Sequence, residues 1–213
     1  RDLPGLRALI ARVQKIAEGA ALMTETTMES KVYSGVSNLL GNTPLEQAMQ
    51  RVLERLGPVP FDDADRAFAR EIRKTYTEND ILSTFHRLGM EPDMELDLCD
   101  FIVPLDNPGS GAGGSTDVGD VSWAVPTVQT WVATCAIGTP AHSWQLTAHG
   151  KTPVAHKGMI HAAKVMAGTA KLLIEDSAIL AAAQEEHRKH LARTPYVCPI
   201  PKEATPPIIK QAA

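Results

Sequence analysis

A glycine-rich stretch, GSGAGGSTDVGDVSW, runs from residue 109 to residue 123 and carries the side chains best suited to chemistry. Clustered glycines allow unusual backbone angles or the close approach of another group. The stretch could therefore form a phosphate cradle, a linker or the floor of an active site. It presents hydroxyl and carboxylate groups from Ser115, Thr116, Asp117 and Asp120. By position alone, the loop suits a functional role or a structural one.

The common glycine-rich motifs do not match this stretch. No Gly-Lys-Ser/Thr ends it, so it is not a Walker phosphate loop. A proline and an asparagine separate it from the preceding predicted strand, and no apolar helix follows it, so it is not a dinucleotide fingerprint. The following DVGDVSWAVP is too apolar for a disordered linker. The remaining interpretation is an ordered loop of defined conformation at the end of a strand.

A second candidate is His142, in the loop GTPAHSWQ after an apolar run at 125–137. The sequence contains no His-Glu-x-x-His, no paired cysteines and no Gly-x-Ser-x-Gly, so no catalytic residue is assigned. Cys135 lies inside the apolar run and is expected in the core. His187 and His190 lie three apart in a charged helix and are expected at its solvated surface.

The composition limits the class of protein. The 213 residues are 44% hydrophobic and 22% charged, which suits one large globular domain or two small ones. The net charge of -4 provides no basic surface and argues against a nucleic-acid partner. No apolar run is long enough to cross a bilayer. The three widely spaced cysteines argue against a disulfide framework and favour a reducing cytoplasm.

Helices and strands are predicted to alternate along the chain. Capping residues and apolar spacing predict helices over about 3–22, 43–57, 62–75, 78–88 and 155–190. Alternating and β-branched runs predict strands within 24–35, 94–105 and 125–137. We therefore expect an α/β sandwich in which the glycine-rich loop and the His142 loop, joined by the strand at about 125–137, form a candidate cleft. In open α/β sheets, sites collect at the carboxyl ends of strands.

Longer stretches resemble a known family. GSTDVGDVSWAVPTVQTWVATCAIGTPAHSWQLTAHG, followed by AHKGMIHAAKVMA, closely resembles the carboxyl-terminal region of aminobenzoyl-glutamate hydrolases. These enzymes belong to a metallopeptidase family that includes aminoacylases, glutamate carboxypeptidases and auxin-conjugate amidohydrolases. KIAEGAALMTETTMESKVYSGVSNLLGNTPL resembles the end of the family's inserted lid, or dimerisation, domain. The resemblance covers nearly the whole chain, from about residue 6 to the proline-rich tail.

The resemblance implies a fold and an activity. The implied fold is the three-layer α/β sandwich of a di-metal peptidase, with residues 38–213 forming its carboxyl-terminal part. Residues 1–37 are expected to end a smaller α+β lid that pairs subunits into a homo-oligomer. The implied activity is metal-dependent hydrolysis of the amide of an N-acyl or aminobenzoyl amino acid, such as p-aminobenzoyl-glutamate. The implied cofactors are two divalent metal ions, zinc or manganese.

The resemblance also implies roles for individual residues. His142, in PAHSW, falls at the position of the family's carboxyl-terminal metal-ligand histidine. Asn38 or Asn42 falls near an asparagine at the lid boundary that contacts substrate. Four residues of the glycine-rich loop are expected to line the substrate pocket or support metal ligands: Ser115, Thr116, Asp117 and Asp120. Asp117 is the best match to the family's Gly-Ser-x-Asp motif.

The family's other metal ligands and its glutamate base have no match in this sequence, which lacks a His-x-Asp at a strand end. We therefore expect the carboxyl-terminal part of a longer enzyme, or one product of a split gene. In either case it would act with a missing amino-terminal half or partner chain. The alternative is a catalytically inactive fragment that serves as a scaffold or a binding module. An unrelated small-molecule-binding domain would require the long match to arise by chance.

Overall fold

The computed structural model describes residues 3–107, 116–202 and 204, whose regular structure is helical. The helices are α1 (Leu3–Met23), α2 (Thr43–Leu56), α3 (Asp63–Arg73), α4 (Glu78–Leu88), α5 (Val118–Ala124), α6 (Trp144–His149), α7 (Pro153–Glu175) and α8 (Ser177–Arg193). The first four confirm the predicted helices. The late helix predicted over 155–190 is instead two helices separated at Asp176, and α6 lies where the sequence predicts a loop.

Local capping explains why the early helices begin where they do. Asp62 and Asp65 form a capping box at the start of α3, each side chain accepting a hydrogen bond from the other residue's backbone N–H. Thr77 and Asp80 form the same arrangement at the start of α4. Helix α4 ends at Gly89, which has the left-handed conformation that glycine adopts most easily. The residues that set these boundaries are neighbours in the sequence.

The predicted α/β fold is wrong for the described part of the chain. Residues 24–35, 94–105 and 125–137 contain no strand, so neither a three-layer sandwich nor an α+β lid is present among the described residues. A β-branched run favours an extended backbone, but a strand also needs a second chain segment to complete its hydrogen-bond ladder. Backbone groups in the 125–137 segment bond elsewhere: the Ala136 N–H donates to the ring of His149, and the Ile137 N–H donates to the Asp97 carbonyl.

The described chain divides into two compact units. The smaller comprises 1–41, 114–127 and 187–213, and the larger comprises 42–113 and 128–186. The predicted boundary between residues 37 and 38 stays a prediction. Among the described residues, no helix is both long and apolar enough to cross a membrane.

The larger unit is built around the packing of α2 against α7. Met49 and Val52 of α2 meet Val165 of α7 in one buried cluster. Gly168 of α7 faces Val52, and a Cβ atom there would lie 2.7 Å from a Val52 methyl group, so the missing side chain permits this close packing. Two further clusters fill the unit, one between α3 and α7 and one beside α4. Their buried members are Ala69, Ile72, Leu98, Ala136 and Val154, and Ile81, Phe85 and Ile137.

Candidate functional site

In the smaller unit, Asp120 on α5 holds the segment at residues 37–40 through its carboxylate. The carboxylate accepts hydrogen bonds from the Ser37 N–H at 3.1 Å and the Ser37 hydroxyl at 2.7 Å. It also accepts one from the Tyr196 hydroxyl at 2.9 Å. Burial opposes ionisation of Asp120, but the hydrogen bonds from Ser37 and Tyr196 outweigh it and hold the pKa of Asp120 below its ordinary value. Asp120 is therefore an ionised acceptor at neutral pH.

Two more side chains of α5 bind the same segment. The Ser122 hydroxyl accepts a hydrogen bond from the Leu40 N–H at 2.8 Å. The indole N–H of Trp123 donates to the Asn38 carbonyl at 2.8 Å. We call this arrangement, in which Asp120, Ser122 and Trp123 bind residues 37–40, the α5 clamp. Since it engages N–H, C=O and hydroxyl groups at three positions, it fixes the backbone of the segment.

Close packing reinforces the α5 clamp. A Cβ atom added to Gly119 would lie 2.0 Å from the Ser37 carbonyl oxygen, so only glycine permits this approach of α5 to the segment. His187 is buried and its Nε2 lies 3.0 Å from the Ser122 carbonyl oxygen. The expectation that His187 lies at a solvated surface is wrong, whereas His190 is exposed as expected.

The structure gives the predicted substrate-binding residues different surroundings. Asn38 is exposed, and Asp117 is exposed at the start of α5 without a capping hydrogen bond. The Thr116 hydroxyl accepts a hydrogen bond from the Val118 N–H. Ser115 lies outside the described residues. Asn38 thus lies in the segment that the α5 clamp binds, Asp120 is part of the clamp, and Asp117 lies at the start of the same helix.

Asn42 has a structural environment within the larger unit. It is buried, its side-chain oxygen caps α2 by accepting the Leu45 N–H, and its amide donates to the Ala183 carbonyl at 2.9 Å. Both ends of its side-chain amide are thereby directed into the protein. Of the two asparagines implied by the resemblance, Asn38 is the one with an exposed side chain.

His142 belongs to the larger unit and lies in the turn before α6. Its side chain is exposed, and its backbone has a φ of 56°. A residue with a Cβ atom adopts such left-handed angles at a cost of about 1–3 kcal/mol, and residues held this way cluster at functional sites. The next residue, Ser143, caps α6 by accepting the Leu146 N–H. The cap fixes the turn from which the imidazole projects.

The described residues do not make a complete metal centre. No group of three or more histidine, cysteine, aspartate or glutamate side chains among them is arranged to hold a metal ion. His142 offers one imidazole, whereas stable sites use three or four protein ligands. Cys135 is half-buried, and burial raises the pKa of its thiol, which disfavours the thiolate form needed by a metal ligand or a nucleophile.

The sequence did not identify Ser37 and Ser122 as members of the α5 clamp, nor Tyr196 as a partner of Asp120. Ser37 and Tyr196 belong to no motif, and Ser37 lies 83 positions from Asp120. One signal was present, since the glycines of this stretch, Gly119 among them, allow the close approach of another group. That signal identifies the packing face of α5 but not its partner.

Comparison with known proteins places the chain in a class. It is 39% identical, over 219 aligned positions, to a subunit of the p-aminobenzoyl-glutamate hydrolase of Escherichia coli (strain K12). The alignment includes 98% of this chain and 46% of that protein, in its carboxyl-terminal portion, so the chain spans about half the length of this curated relative. No family model and no solved structure matches the chain significantly. The chain is an aminobenzoyl-glutamate hydrolase-like protein, which confirms the resemblance.

Proposed function

We propose that this chain is part of a hydrolase that cleaves the amide of p-aminobenzoyl-glutamate or a similar N-acyl amino acid. The observation that carries the proposal is the 39% identity, along nearly the whole chain, to a protein named for that activity. The chain supplies part of the active site, and the rest comes from a second polypeptide or a further portion of the same protein. Hydrolysis adds water across the amide and releases the aryl or acyl acid and the amino acid.

The proposed contribution of the smaller unit is substrate binding. Asn38, in the segment bound by the α5 clamp, and Asp117, at the start of α5, have exposed polar side chains that a ligand can reach. An amide can donate to a substrate carboxylate or accept from a substrate N–H, so Asn38 suits an N-acyl amino acid. Thr116 precedes α5 and belongs to the same proposed surface, and a substrate-binding role for Ser115 stays a prediction. The cytoplasmic location and the homo-oligomer stay predictions.

The proposed contribution of the larger unit is one metal ligand, His142. Its exposed imidazole and its left-handed backbone support this role. The remaining donors for the divalent ions, zinc or manganese, lie outside the described residues. Neutral imidazole is a common ligand for such ions.

The test is the substitution His142→Ala in the complete hydrolase. We expect the loss of bound metal and a fall in kcat/KM for p-aminobenzoyl-glutamate of more than about 100-fold. The reason is that removing a residue that only hydrogen-bonds to a metal ligand already lowers metal affinity or activity by about 10–100-fold. Elemental analysis measures the metal, and release of the aryl acid measures turnover. His156→Ala, which removes an exposed histidine of α7, is the matched control and should change neither quantity.

Two outcomes would count against these roles. Retention of metal and full activity by His142→Ala would remove the ligand assignment. Failure of the complete wild-type protein to hydrolyse any N-acyl amino acid would remove the proposed activity and favour a scaffold or binding role.

A further inference from the structure

The α5 clamp fixes the backbone on both sides of one exposed side chain. Ser37, immediately before Asn38, is held through its N–H and its hydroxyl by Asp120. The Asn38 carbonyl is held by Trp123, and the Leu40 N–H is held by Ser122. The Asn38 side chain is exposed. The backbone around Asn38 is thus fixed, while its side-chain amide is accessible to a ligand.

Asp120 is the group on which this arrangement depends most. It makes two of the bonds to the segment and also binds Tyr196, whose ring stacks at a tilt on Trp123 with centroids 6.3 Å apart. Asp120 therefore links the segment at residues 37–40, the helix and the segment containing Tyr196. Both of its oxygens accept hydrogen bonds, so the carboxylate is directed at the protein rather than at a ligand.

We propose that Asp120 is a positioning residue that acts through Asn38. By holding Ser37, it keeps the Asn38 side chain in the orientation that meets the amino-acid portion of the substrate. This inference rests on the proposed function, in which Asn38 contacts an N-acyl amino acid. Fixing a binding group before the ligand arrives reduces the entropy lost on binding, so the contribution of Asp120 appears in KM.

The first experiment measures KM and kcat for Asp120→Asn, Asn38→Ala and the double variant in the complete hydrolase. An amide offers one acceptor oxygen where the carboxylate offers two, so Asp120→Asn releases part of the clamp. We expect KM to rise about tenfold, the effect of losing one hydrogen bond of ordinary net strength, with kcat nearly unchanged. In the Asn38→Ala background, Asp120→Asn should raise KM no further.

A matched control and a milder variant complete the series. Asp63→Asn removes an exposed carboxylate at the start of α3 and should leave KM unchanged. Tyr196→Phe keeps the ring but removes one hydrogen bond to Asp120, and it should raise KM less than Asp120→Asn does. Because this change is small, it also tests the proposal if Asp120→Asn fails to fold.

The second experiment is hydrogen exchange at the Ser37 N–H, which reports on the clamp without any substrate. Faster exchange in Asp120→Asn than in Asp63→Asn supports the clamp, and equal exchange overturns it. If Asp120→Asn raised KM by the same factor in the wild type and in the Asn38→Ala variant, positioning through Asn38 would be overturned. A wild-type protein without hydrolase activity would overturn the proposed function, and the positioning role with it. The hydrogen-exchange rates at Ser37 would still test the α5 clamp independently, because they need no substrate.

Discussion

His149 shows how one buried side chain joins segments that the sequence separates. Its Nε2 accepts the Ala136 N–H at 3.1 Å, so the proton is on Nδ1, which donates to the Gln145 carbonyl at 2.8 Å. The ring packs against Phe68 in a T-shaped arrangement, with ring centroids 5.3 Å apart. Burial lowers the pKa of His149 and opposes the charged form, although the bond to Gln145 partly offsets this effect. Protonation of Nε2 would also remove the acceptor for Ala136.

This environment predicts a pH-dependent stability. Since the folded pKa of His149 lies below the unfolded value, its contribution is present above the unfolded pKa and is lost as the pH falls through the folded pKa. We expect the free energy of unfolding of the wild type to fall as the pH drops below about 6.5, the ordinary pKa of histidine. His149→Gln should be less stable by about 1–3 kcal/mol at neutral pH but should lack this decline.

Urea unfolding across the pH range measures both quantities. Parallel pH profiles for the wild type and His149→Gln would show that another group causes the acid sensitivity.

At the scale of elements, replacing a helical glycine with alanine changes stability in opposite directions depending on what lies beside the glycine. A Cβ atom added to Gly19 of α1 would meet no neighbouring atom within 4 Å, whereas one added to Gly119 of α5 would lie 2.0 Å from the Ser37 carbonyl oxygen. Alanine favours a helix over glycine by about 1 kcal/mol when nothing obstructs it. Overpacking a tight contact costs about 1–3 kcal/mol.

We therefore expect Gly19→Ala to stabilise the protein by up to about 1 kcal/mol. Gly119→Ala should destabilise it by about 1–3 kcal/mol and, by pushing residues 37–40 away from α5, should also raise KM. Urea unfolding and substrate kinetics provide the comparison. A similar change in stability for both variants would contradict the close approach of α5 to Ser37.

At the scale of the whole molecule, α1 exposes an apolar face that a partner could cover. None of the residues of α1 is buried, and the apolar side chains of its stripe are between 43% and 70% exposed. These side chains are Leu6, Leu9, Val13 and Ile16. Apolar side chains aligned along one helix face are typical of an interaction surface. In the larger unit, Trp131 is also 85% exposed.

We expect the isolated chain to lack hydrolase activity and to gain it when mixed with the complementary portion of the protein. The physical reason is that a metal centre needs several converging donors, and the described residues do not assemble three. Native mass spectrometry should detect the second polypeptide and two divalent ions in the active sample. Hydrolysis by the chain alone, as a metal-free monomer, would contradict this expectation.

Some parts of the candidate site could be predicted from the sequence. Others could not be predicted, because they depend on contacts between residues far apart in the chain. The exposure of Asp117 and His142 is consistent with loop positions that local sequence predicts. The α5 clamp could not be predicted in this way, because Ser37 carries no motif and meets Asp120, 83 positions away, only after folding. Nor could the sequence distinguish Asn38 from Asn42, since one is exposed and the other is a buried helix cap.

Local sequence is enough to specify the early helices, and longer stretches of it carry the family resemblance. Capping boxes such as Asp62 with Asp65 join residues three positions apart, so the signal for a helix start lies within one short segment. Whether the β-branched runs pair, which backbone groups α5 binds and whether His187 is buried were settled only by the folded chain. These outcomes depend on contacts between residues far apart in the chain, and local sequence does not specify which distant partner completes a hydrogen bond.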